Sequence, residues 1–277
     1  MSNQGGIVWL GGELVRLEEA RVPVTDHGLT VGDGLFETFK VINGVAFALG
    51  RHLRRLAHSA AGLGLAVPSD ATLRRAVSAT VGANPGCGRV RLTVTAGPGP
   101  AGTARGASNA TVLVVCSPPA AWPPSEHVAT VPWTRNERGA LAGLKTTSYA
   151  ENVVALGDAR QRGAGEAIFA NTNGDLCEGT GTNVFVVLDS VLITPPLASG
   201  CLAGITRGLV CELVEVEERT LPLGALATAS EAFLTSSTRD VHPIATVDGV
   251  ALASCPGTRT IEGAEAYAAC VERNLDP

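Results

Sequence analysis

The sequence has little of several features that would point to particular partners. Of its 277 residues, 4% are aromatic and 17% are charged, the net charge is −5, and the apolar runs are short, with VFVVL a typical example. A weakly acidic chain has little electrostatic attraction to nucleic acid or anionic lipid, and such short runs cannot span a bilayer. The first residues also lack the basic and apolar regions of a signal peptide. These absences predict a cytoplasmic protein that binds neither nucleic acid nor membrane.

Cysteine, histidine and glycine also lack the spacings that carry familiar chemistry. The seven cysteines are scattered without a C-x-x-C, and the five histidines have no metal-ligand spacing. Reduced thiols of this kind are typical of the cytoplasm, and we predict no metal site. The segment GPGPAG (97–102) matches G-x-G-x-x-G, but a predicted strand follows it and its prolines remove amide donors, so a dinucleotide site is excluded there.

Lysine is the scarcest of the charged residues, with two lysines against 19 arginines. Chemistry that needs a primary amine therefore has only Lys40 and Lys145 to use. Lys40 lies in a predicted strand just before a turn, where exposure is expected. Lys145 follows an apolar stretch and precedes polar residues that can start a helix; if it ends an apolar strand, partial desolvation would favour the neutral, nucleophilic amine. Lys145 is the candidate nucleophile, with an ordinary surface lysine as the alternative.

A proline-rich segment divides the chain. CSPPAAWPPS (116–125) has four prolines in ten residues and can continue neither a helix nor a central strand. We therefore predict an N-terminal domain over 1–115, a linker over 116–125 and a larger C-terminal domain over 126–277. Both parts mix strands with helices without a regular βαβ alternation, which predicts an α+β fold.

Periodicity and turn residues give a coarse map of the elements. Apolar runs flank Gly11-Gly12 and Asn43-Gly44, and NTNGD and VDGV are further turn signals, so each site predicts a hairpin. Ser69 or Asp70 is the expected N-cap of a second small-domain helix. The remaining helices are predicted over 51–63, 148–162, 205–217 and 260–272.

Three polar features lie in the C-terminal part. Glu178 lies between a predicted hairpin and a glycine-threonine turn, and a carboxylate buried there needs a cationic partner. SGCLAGITRGLV places a glycine-rich turn before a helix that starts near Ile205-Thr206, and free amides at a helix N-terminus bind phosphate. TSSTRD (235–240) supplies further small donors. Together with Lys145, these features indicate a phosphorylated cofactor with a ring nitrogen.

In this arrangement the sequence resembles the fold-type IV pyridoxal-phosphate enzymes, the class IV aminotransferases. This family includes D-amino-acid and branched-chain aminotransferases, (R)-amine transaminases and 4-amino-4-deoxychorismate lyase. The matching segments cover nearly the whole chain and occur in the family's order: DHGLTVGDGLFETFKVING, HLRRL, GLKTTSYAENV, LCEGTGTNVF, TPPLASGCLAGITR and FLTSSTRDVHPI.

The resemblance implies pyridoxal 5'-phosphate as cofactor and gives the motifs residue-level roles. Lys145 matches the lysine that bonds to the cofactor, Glu178 the carboxylate that binds the pyridine nitrogen, and Arg55 a phosphate-binding arginine. It also implies a two-domain fold with mixed sheets, an active site between the domains, and a homodimer. The other implied cofactor contacts are Ile205, Thr206, Ser237 and Thr238 on the phosphate side, Leu202 against the ring, and Tyr149 near the ring hydroxyl.

The substrate-binding residues depend on which branch of the family the chain follows. The best-known D-amino-acid aminotransferases bind the substrate carboxylate with a tyrosine after GDG and an Arg-x-His loop. Here Phe36 and GPGPAGTARG (97–106) occupy those places. Arg91 resembles an active-site arginine of branched-chain enzymes, and Thr38 lies at a position that the lyases also fill with threonine. The remaining candidates for the substrate carboxylate are Arg105, Arg135 and Arg239.

These observations predict a transaminase that moves an amino group between an amino acid, plausibly a D-amino acid, and a 2-keto acid by a ping-pong mechanism. The first alternative is 4-amino-4-deoxychorismate lyase, which releases 4-aminobenzoate and pyruvate. The second is a cofactor-carrying binding protein without turnover.

Overall fold

The computed structural model describes residues 6–107 and 109–277 and divides them into two compact units. The described residues of Met1–Ala120, together with Leu144–Tyr149 and Asn274–Pro277, form the first unit, and Ala121–Gly143 with Ala150–Arg273 form the second. The segment that carries Lys145 therefore belongs to the first unit, although it lies in the C-terminal part of the sequence. No helix in the described ranges is long and apolar enough to cross a membrane.

The first unit is an antiparallel sheet with two long helices. The strand order is β2-β1-β6-β5-β3-β4, and α2 and α3 contact the sheet. Phe39, Leu56, Val77 and Leu92 lie in its hydrophobic core. The elements are β1 (Ile7–Leu10), β2 (Glu13–Arg16), α1 (His27–Thr30), β3 (Gly34–Ile42), β4 (Val45–Ala46), α2 (Leu49–Leu63), α3 (Asp70–Gly82), β5 (Arg89–Thr95) and β6 (Thr111–Ser117).

Local turn chemistry in this unit is as the sequence predicts. Asn43 and Gly44 have φ values of 49° and 79° and join β3 to β4, the left-handed pair that a tight hairpin turn requires. Gly64 ends α2 in the left-handed conformation. Of the two predicted caps, Ser69 is the N-cap of α3, and its hydroxyl accepts from Thr72 N.

The second unit is a nine-stranded mixed sheet with helices. Its main path is β12-β11-β10-β13-β14-β7-β8-β9, with β15 paired to β14. The pairs β7–β8, β7–β14 and β11–β12 are parallel. The elements are β7 (Glu126–Arg135), α4 (Ala150–Gln161), β8 (Glu166–Asn171), β9 (Leu176–Gly179), β10 (Asn183–Leu188), β11 (Val191–Thr194), α5 (Ile205–Leu213), β12 (Glu217–Glu218), α6 (Ala225–Thr228), β13 (Glu231–Ser236), β14 (Asp240–Val247), β15 (Val250–Ala251) and α7 (Thr258–Arg273).

One helix is shorter than its apolar pattern suggests. The sequence predicts a helix over 205–217, but α5 ends at Leu213 because Val214 is extended, with φ −133° and ψ 161°. The chain then runs into β12, where Glu217 pairs with Ile193 of β11. Pairing with the sheet therefore takes the place of the last predicted turn of helix.

Candidate active site

Lys145 is held by its backbone between β3 and α2. Phe36 N donates to Lys145 O at 3.1 Å, Lys145 N donates to Ser59 Oγ at 3.0 Å, and Thr146 forms a bridge with Leu35. The residue follows a turn and not a strand end, so the predicted strand placement was wrong. The half-buried position comes instead from docking of the segment Leu144–Tyr149 against the N-terminal sheet.

The Lys145 amine lies among aromatic rings and close to an arginine. Nζ is 4.3 Å from the Phe36 ring centroid and 5.9 Å from that of Tyr149, and the two rings pack edge to face at 5.3 Å. Arg91 Cζ is 3.7 Å from the Phe36 centroid. Arg91 also pairs across the sheet with Thr38. Four predicted residues, Phe36, Thr38, Arg91 and Tyr149, thus lie around Lys145.

Arg55 is held on α2 by a buried carboxylate. Its Nε and Nη2 donate to the Glu37 oxygens at 2.8 and 2.6 Å, and His52 Nδ1 lies 2.6 Å from Glu37 Oε2. Burial alone would raise the pKa of the Glu37 carboxyl, but its bonds to Arg55 and His52 outweigh this and lower it to about 2. Burial lowers the pKa of His52 more than Glu37 raises it, so at pH 7 His52 is neutral and donates through Nδ1.

Sequence reasoning missed Glu37. The signal was available, because residues alternate across a strand and Leu35, Glu37 and Phe39 share one face of β3. Leu35 and Phe39 are core residues. A carboxylate at a core position requires buried donors, and HLRRL supplies both of them.

In the second unit Glu178 is oriented by two donors. Arg135 Nε donates to its Oε1 at 3.1 Å, and Leu202 N donates to its Oε2 at 2.9 Å. Arg135 also bonds Glu151 at 3.1 Å and lies over the Phe169 ring, 4.1 Å from the centroid. The predicted cationic partner of Glu178 is therefore Arg135, which the sequence analysis had placed with the substrate.

The N-terminus of α5 carries no side-chain cap. Its N-cap is Gly204, where an added Cβ would lie 1.9 Å from Asn183 Oδ1. Asn183 Nδ2 in turn donates to Leu202 O at 2.8 Å, which fixes the turn ahead of the helix. Thr206 in the first turn is only 2% exposed. A glycine entry that admits no side chain, followed by the amides of Ile205 and Thr206, suits an anion such as phosphate.

Ser237 and Thr238 lie in the turn between β13 and β14. Trp122 Nε1 donates to Thr238 O at 2.8 Å, and Arg239 N donates to Ser236 Oγ at 3.1 Å. The Arg239 guanidinium pairs with Glu126 and Glu166, so it already has carboxylate partners. The turn itself offers two hydroxyl groups.

Of the arginines expected to bind substrate, Arg91 differs from the rest. Arg105 donates twice to the Asp33 carboxylate, at 2.6 and 2.7 Å, and also to the last carbonyls of α2. Arg135 pairs with Glu178 and Glu151. Within residues 6–107 and 109–277, no carboxylate pairs with Arg91. Its guanidinium rests on an aromatic ring beside the candidate amine.

Comparison with known proteins decides the family. The family model described as amino-transferase class IV matches residues 34–247. The chain is a class IV aminotransferase. It is 34% identical over 253 residues to a putative branched-chain-amino-acid aminotransferase of Methanocaldococcus jannaschii, covering 87% of this chain and 88% of that one. It is 32% identical over 263 residues to a D-alanine aminotransferase of Bacillus licheniformis, covering 91% and 93%.

Solved structures agree with the fold of this aminotransferase. The branched-chain aminotransferase of Thermoproteus uzoniensis, solved with norvaline, superposes with a TM-score of 0.89 at 32% identity, covering 96% of this chain and 95% of that one. The prediction of a fold-type IV α+β enzyme is therefore confirmed. The branched-chain aminotransferase of T.th. (TM-score 0.87, 25% identity, 96% and 94% covered) contains pyridoxamine 5'-phosphate. Pyridoxal phosphate is the cofactor of this class, as the resemblance implied.

The residues of this aminotransferase fit such a cofactor in chemical type. The first unit supplies a half-buried primary amine and an oriented guanidinium, Lys145 and Arg55. The second supplies an oriented carboxylate, Glu178, and an uncapped helix N-terminus that begins at Gly204. An aldehyde, a pyridine nitrogen and a phosphate are the three groups that these donors and acceptors match.

Proposed function

We propose that this aminotransferase transfers the amino group of an amino acid to a 2-keto acid by a ping-pong mechanism, with pyridoxal phosphate bonded to Lys145. The observation that carries the proposal is the environment of Lys145, one of only two lysines in the chain, with its Nζ 4.3 Å from the Phe36 ring and Arg91 on the same ring. Glu178 is proposed to bind the pyridine nitrogen, with Leu202 against the ring and Tyr149 at the ring hydroxyl. The proposed phosphate ligands are Arg55, Ile205, Thr206, Ser237 and Thr238.

Each group of this chain has a defined task in that reaction. When bound, the cofactor supplies an electron-withdrawing ring that stabilises negative charge at the substrate Cα. Lys145 Nζ acts as general base, accepting the Cα proton and later returning it. Glu178, aligned by Arg135 Nε and Leu202 N, presents a carboxylate oxygen to a protonated ring nitrogen. Arg55, fixed by Glu37, holds the phosphate and thereby the ring.

We assign the substrate carboxylate to Arg91. Arg105 and Arg135 are already paired with carboxylates, whereas Arg91 stacks on Phe36, which Lys145 Nζ also contacts. An arginine can bind a carboxylate with two parallel hydrogen bonds, which fixes the substrate as well as holding it. An α-amino acid bound in this way would have its amino group directed to the Lys145 side of Phe36.

For the amino donor we propose D-amino acids, supported by the likeness to the D-alanine aminotransferase of B. licheniformis. Branched-chain amino acids are the second candidate, because the M. jannaschii and T. uzoniensis relatives bear that name. The comparisons do not favour the lyase. The names therefore restrict the donor to two classes that a direct measurement separates.

The test is a half-reaction without keto acid. Purified enzyme is mixed with D-alanine, D-glutamate, L-leucine or L-valine, and conversion of the bound cofactor to its pyridoxamine form is followed by absorbance. We expect near-stoichiometric conversion by the D-amino acids, and loss of both conversion and covalent cofactor in Lys145→Ala. Conversion by L-leucine and L-valine alone would assign the branched-chain donors. No conversion by any of them, with 4-aminobenzoate released from aminodeoxychorismate, would establish the lyase.

We further propose a homodimer. The first unit exposes apolar side chains in one short stretch of sequence, with Val24 81% and Leu29 69% exposed and Val31 close by. Apolar side chains exposed close together commonly mark protein contact surfaces. Light scattering at micromolar concentration is expected to give about twice the 28.3 kDa chain mass, and a monomer of full activity would refute the proposal.

A further inference from the structure

A buried ion-pair network lies behind the Ser237–Thr238 turn. The Arg239 side chain is 7% exposed, and its Nη1 is 2.7 Å from Glu126 Oε2. Its Nη2 is 3.5 Å from Glu166 Oε2 and donates to Gly165 O at 3.4 Å. The guanidinium also lies 4.0 Å from the Trp122 ring centroid. A single arginine thus holds two buried carboxylates, and it directly follows the two hydroxyl residues of the turn.

Glu166 extends the network to the loop that follows Glu178. Its Oε1 accepts hydrogen bonds from Thr180 N at 3.0 Å and from Thr180 Oγ1. Its Oε2 accepts from Thr182 Oγ1 at 3.3 Å. The Glu166 side chain is 2% exposed, so these partners replace water completely. The carboxylate therefore connects Arg239 to the backbone only two residues beyond Glu178.

The network is packed too closely for the loop to shift without breaking it. A Cβ on Gly179 would lie 2.2 Å from Thr182 Oγ1 and 3.2 Å from the Glu166 side chain. A Cβ on Gly165 would lie 2.2 Å from Glu126 Oε1. Both backbone segments therefore approach the carboxylates as closely as glycine allows, and a rigid connection transmits displacement.

We propose that Arg239 is a positioning residue, which through Glu166 couples the Ser237–Thr238 turn to the loop after Glu178 and so fixes two cofactor contacts relative to each other. The inference rests on the proposed function, which assigns Ser237 and Thr238 to the phosphate and Glu178 to the ring nitrogen. Loss of Arg239 would leave two buried carboxylates without their shared cation, and their repulsion would move both segments. Arg239 itself contacts neither cofactor nor substrate in this scheme.

The test measures affinity for pyridoxamine 5'-phosphate, which binds without a covalent bond and so reports the phosphate and ring-nitrogen contacts. Full-length protein freed of cofactor is titrated calorimetrically as wild type, Arg239→Lys, Thr180→Val and the double variant. Lysine keeps the charge but loses the planar fork, and valine removes one hydroxyl bond to Glu166. We expect Arg239→Lys to raise the dissociation constant about tenfold, Thr180→Val to raise it less, and the double variant to fall short of the product, as coupled residues do.

Arg162→Lys is the matched control, because Arg162 pairs with Asp158 and Asp248 in the same unit and touches none of the proposed cofactor contacts. Its dissociation constant should stay within twofold of wild type. A lower melting temperature of Arg239→Lys with unchanged pyridoxamine phosphate affinity would show a purely structural role and overturn the inference. So would normal cofactor affinity with a raised KM for the amino acid, which would place Arg239 at the substrate.

Failure of the proposed function has a separate signature. If wild type does not bind pyridoxamine phosphate, or does not pass the half-reaction test, the proposed function fails whatever the variants do. If wild type binds and reacts while Arg239→Lys and Thr180→Val bind equally well, only the positioning role is lost. Should Arg239→Lys fail to fold, Thr180→Val alone decides, since unchanged affinity there overturns the coupling through Glu166.

Discussion

At the scale of single residues, the donors and acceptors around each arginine indicate what it can do. Arg105 and Arg135 have their carboxylates within the protein, and so does Arg239. Stacking on Phe36 leaves Arg91 able to take a carboxylate from outside. The side chain's role therefore follows from the pairing of its hydrogen-bond donors and not from its residue type, which all four share.

Substitution of Arg91 is predicted to weaken amino-acid binding selectively. A charge-assisted hydrogen bond contributes about 1.5–3 kcal/mol, so Arg91→Ala should raise KM for the amino acid and the keto acid roughly 10–150-fold. Steady-state kinetics with both substrates provides the measurement. Arg89→Ala, two residues away on β5, is the control and should stay near wild type. A KM unchanged in Arg91→Ala but raised in Arg105→Ala would contradict the assignment.

The buried pair of Glu37 and His52 makes a prediction about pH. The folded pKa of His52 lies below its ordinary value, so as the pH falls below about 6.5 the unfolded chain takes up a proton that the fold refuses. The stability contributed by neutral His52 is therefore present above about pH 6.5 and lost below it, by up to about 1.4 kcal/mol per pH unit. Glu37 acts in a lower window, because its stabilisation is lost only as the pH falls from about 4.5 towards 2.

His52→Asn tests this by chemical denaturation between pH 7.5 and 5. Asparagine keeps a donor near the position of Nδ1 but does not titrate, so the variant should have a flatter dependence of its unfolding free energy on pH. Burial also lowers the pKa of His242, but that group is present in both proteins and cancels in the comparison. Parallel curves for the two proteins would refute the role of His52.

At the scale of elements, the entry to α5 depends on two glycines with opposite requirements. An added Cβ at the N-cap Gly204 would lie 1.9 Å from Asn183 Oδ1, whereas at Gly208 in the helix interior nothing lies within 4 Å. Gly204→Ala should destabilise the protein by about 1–3 kcal/mol through overpacking and weaken cofactor binding by shifting Leu202. Gly208→Ala should stabilise it by about 0.4–1 kcal/mol. Equilibrium unfolding compares the two, and equal effects would contradict the steric argument.

Elements whose signal is local were predictable from the sequence, and those set by distant partners were not. Asn43-Gly44 determines its own turn, and Gly64 determines where α2 ends. By contrast, Arg135 and Glu178 are 43 residues apart and Arg55 and Glu37 are 18 apart. The sequence indicated that Glu178 needs a cation, but only tertiary packing selects which one. The early end of α5 has the same cause, since pairing of β12 with β11 competes with local periodicity.

At the scale of the whole molecule, the chain returns to its N-terminal unit twice after leaving it. The segment Leu144–Tyr149 brings Lys145 to β3, and Asn274–Pro277 reaches α2. Both returns end on elements that carry proposed cofactor ligands, because α2 bears Arg55 and Ser59 receives the Lys145 amide. The proposed ligands of the first unit therefore depend on contacts far apart in sequence, which is why a motif scan finds the residues but not their support.

The last residues supply the cap that α2 lacks. Its N-cap is Ala48, with φ 52° and no side-chain acceptor, and Asp276 Oδ1 accepts from Gly50 N at 2.7 Å across 226 residues. Ala48 N also donates to Leu275 O at 2.6 Å. A carboxylate at a helix N-terminus satisfies a free amide and interacts favourably with the helix dipole.

Asp276→Ala is therefore predicted to lower the free energy of unfolding by about 1 kcal/mol and to speed amide exchange in the first turn of α2, around Gly50 and Arg51. Hydrogen exchange with mass spectrometry resolves the two effects, since it reports α2 and α3 separately. Ser69→Ala removes the N-cap of α3 and should cost a similar amount while speeding exchange only in α3. If Asp276→Ala left exchange in α2 at the wild-type rate, the C-terminal residues would not be its cap, and Arg55 would owe its position to Glu37 alone.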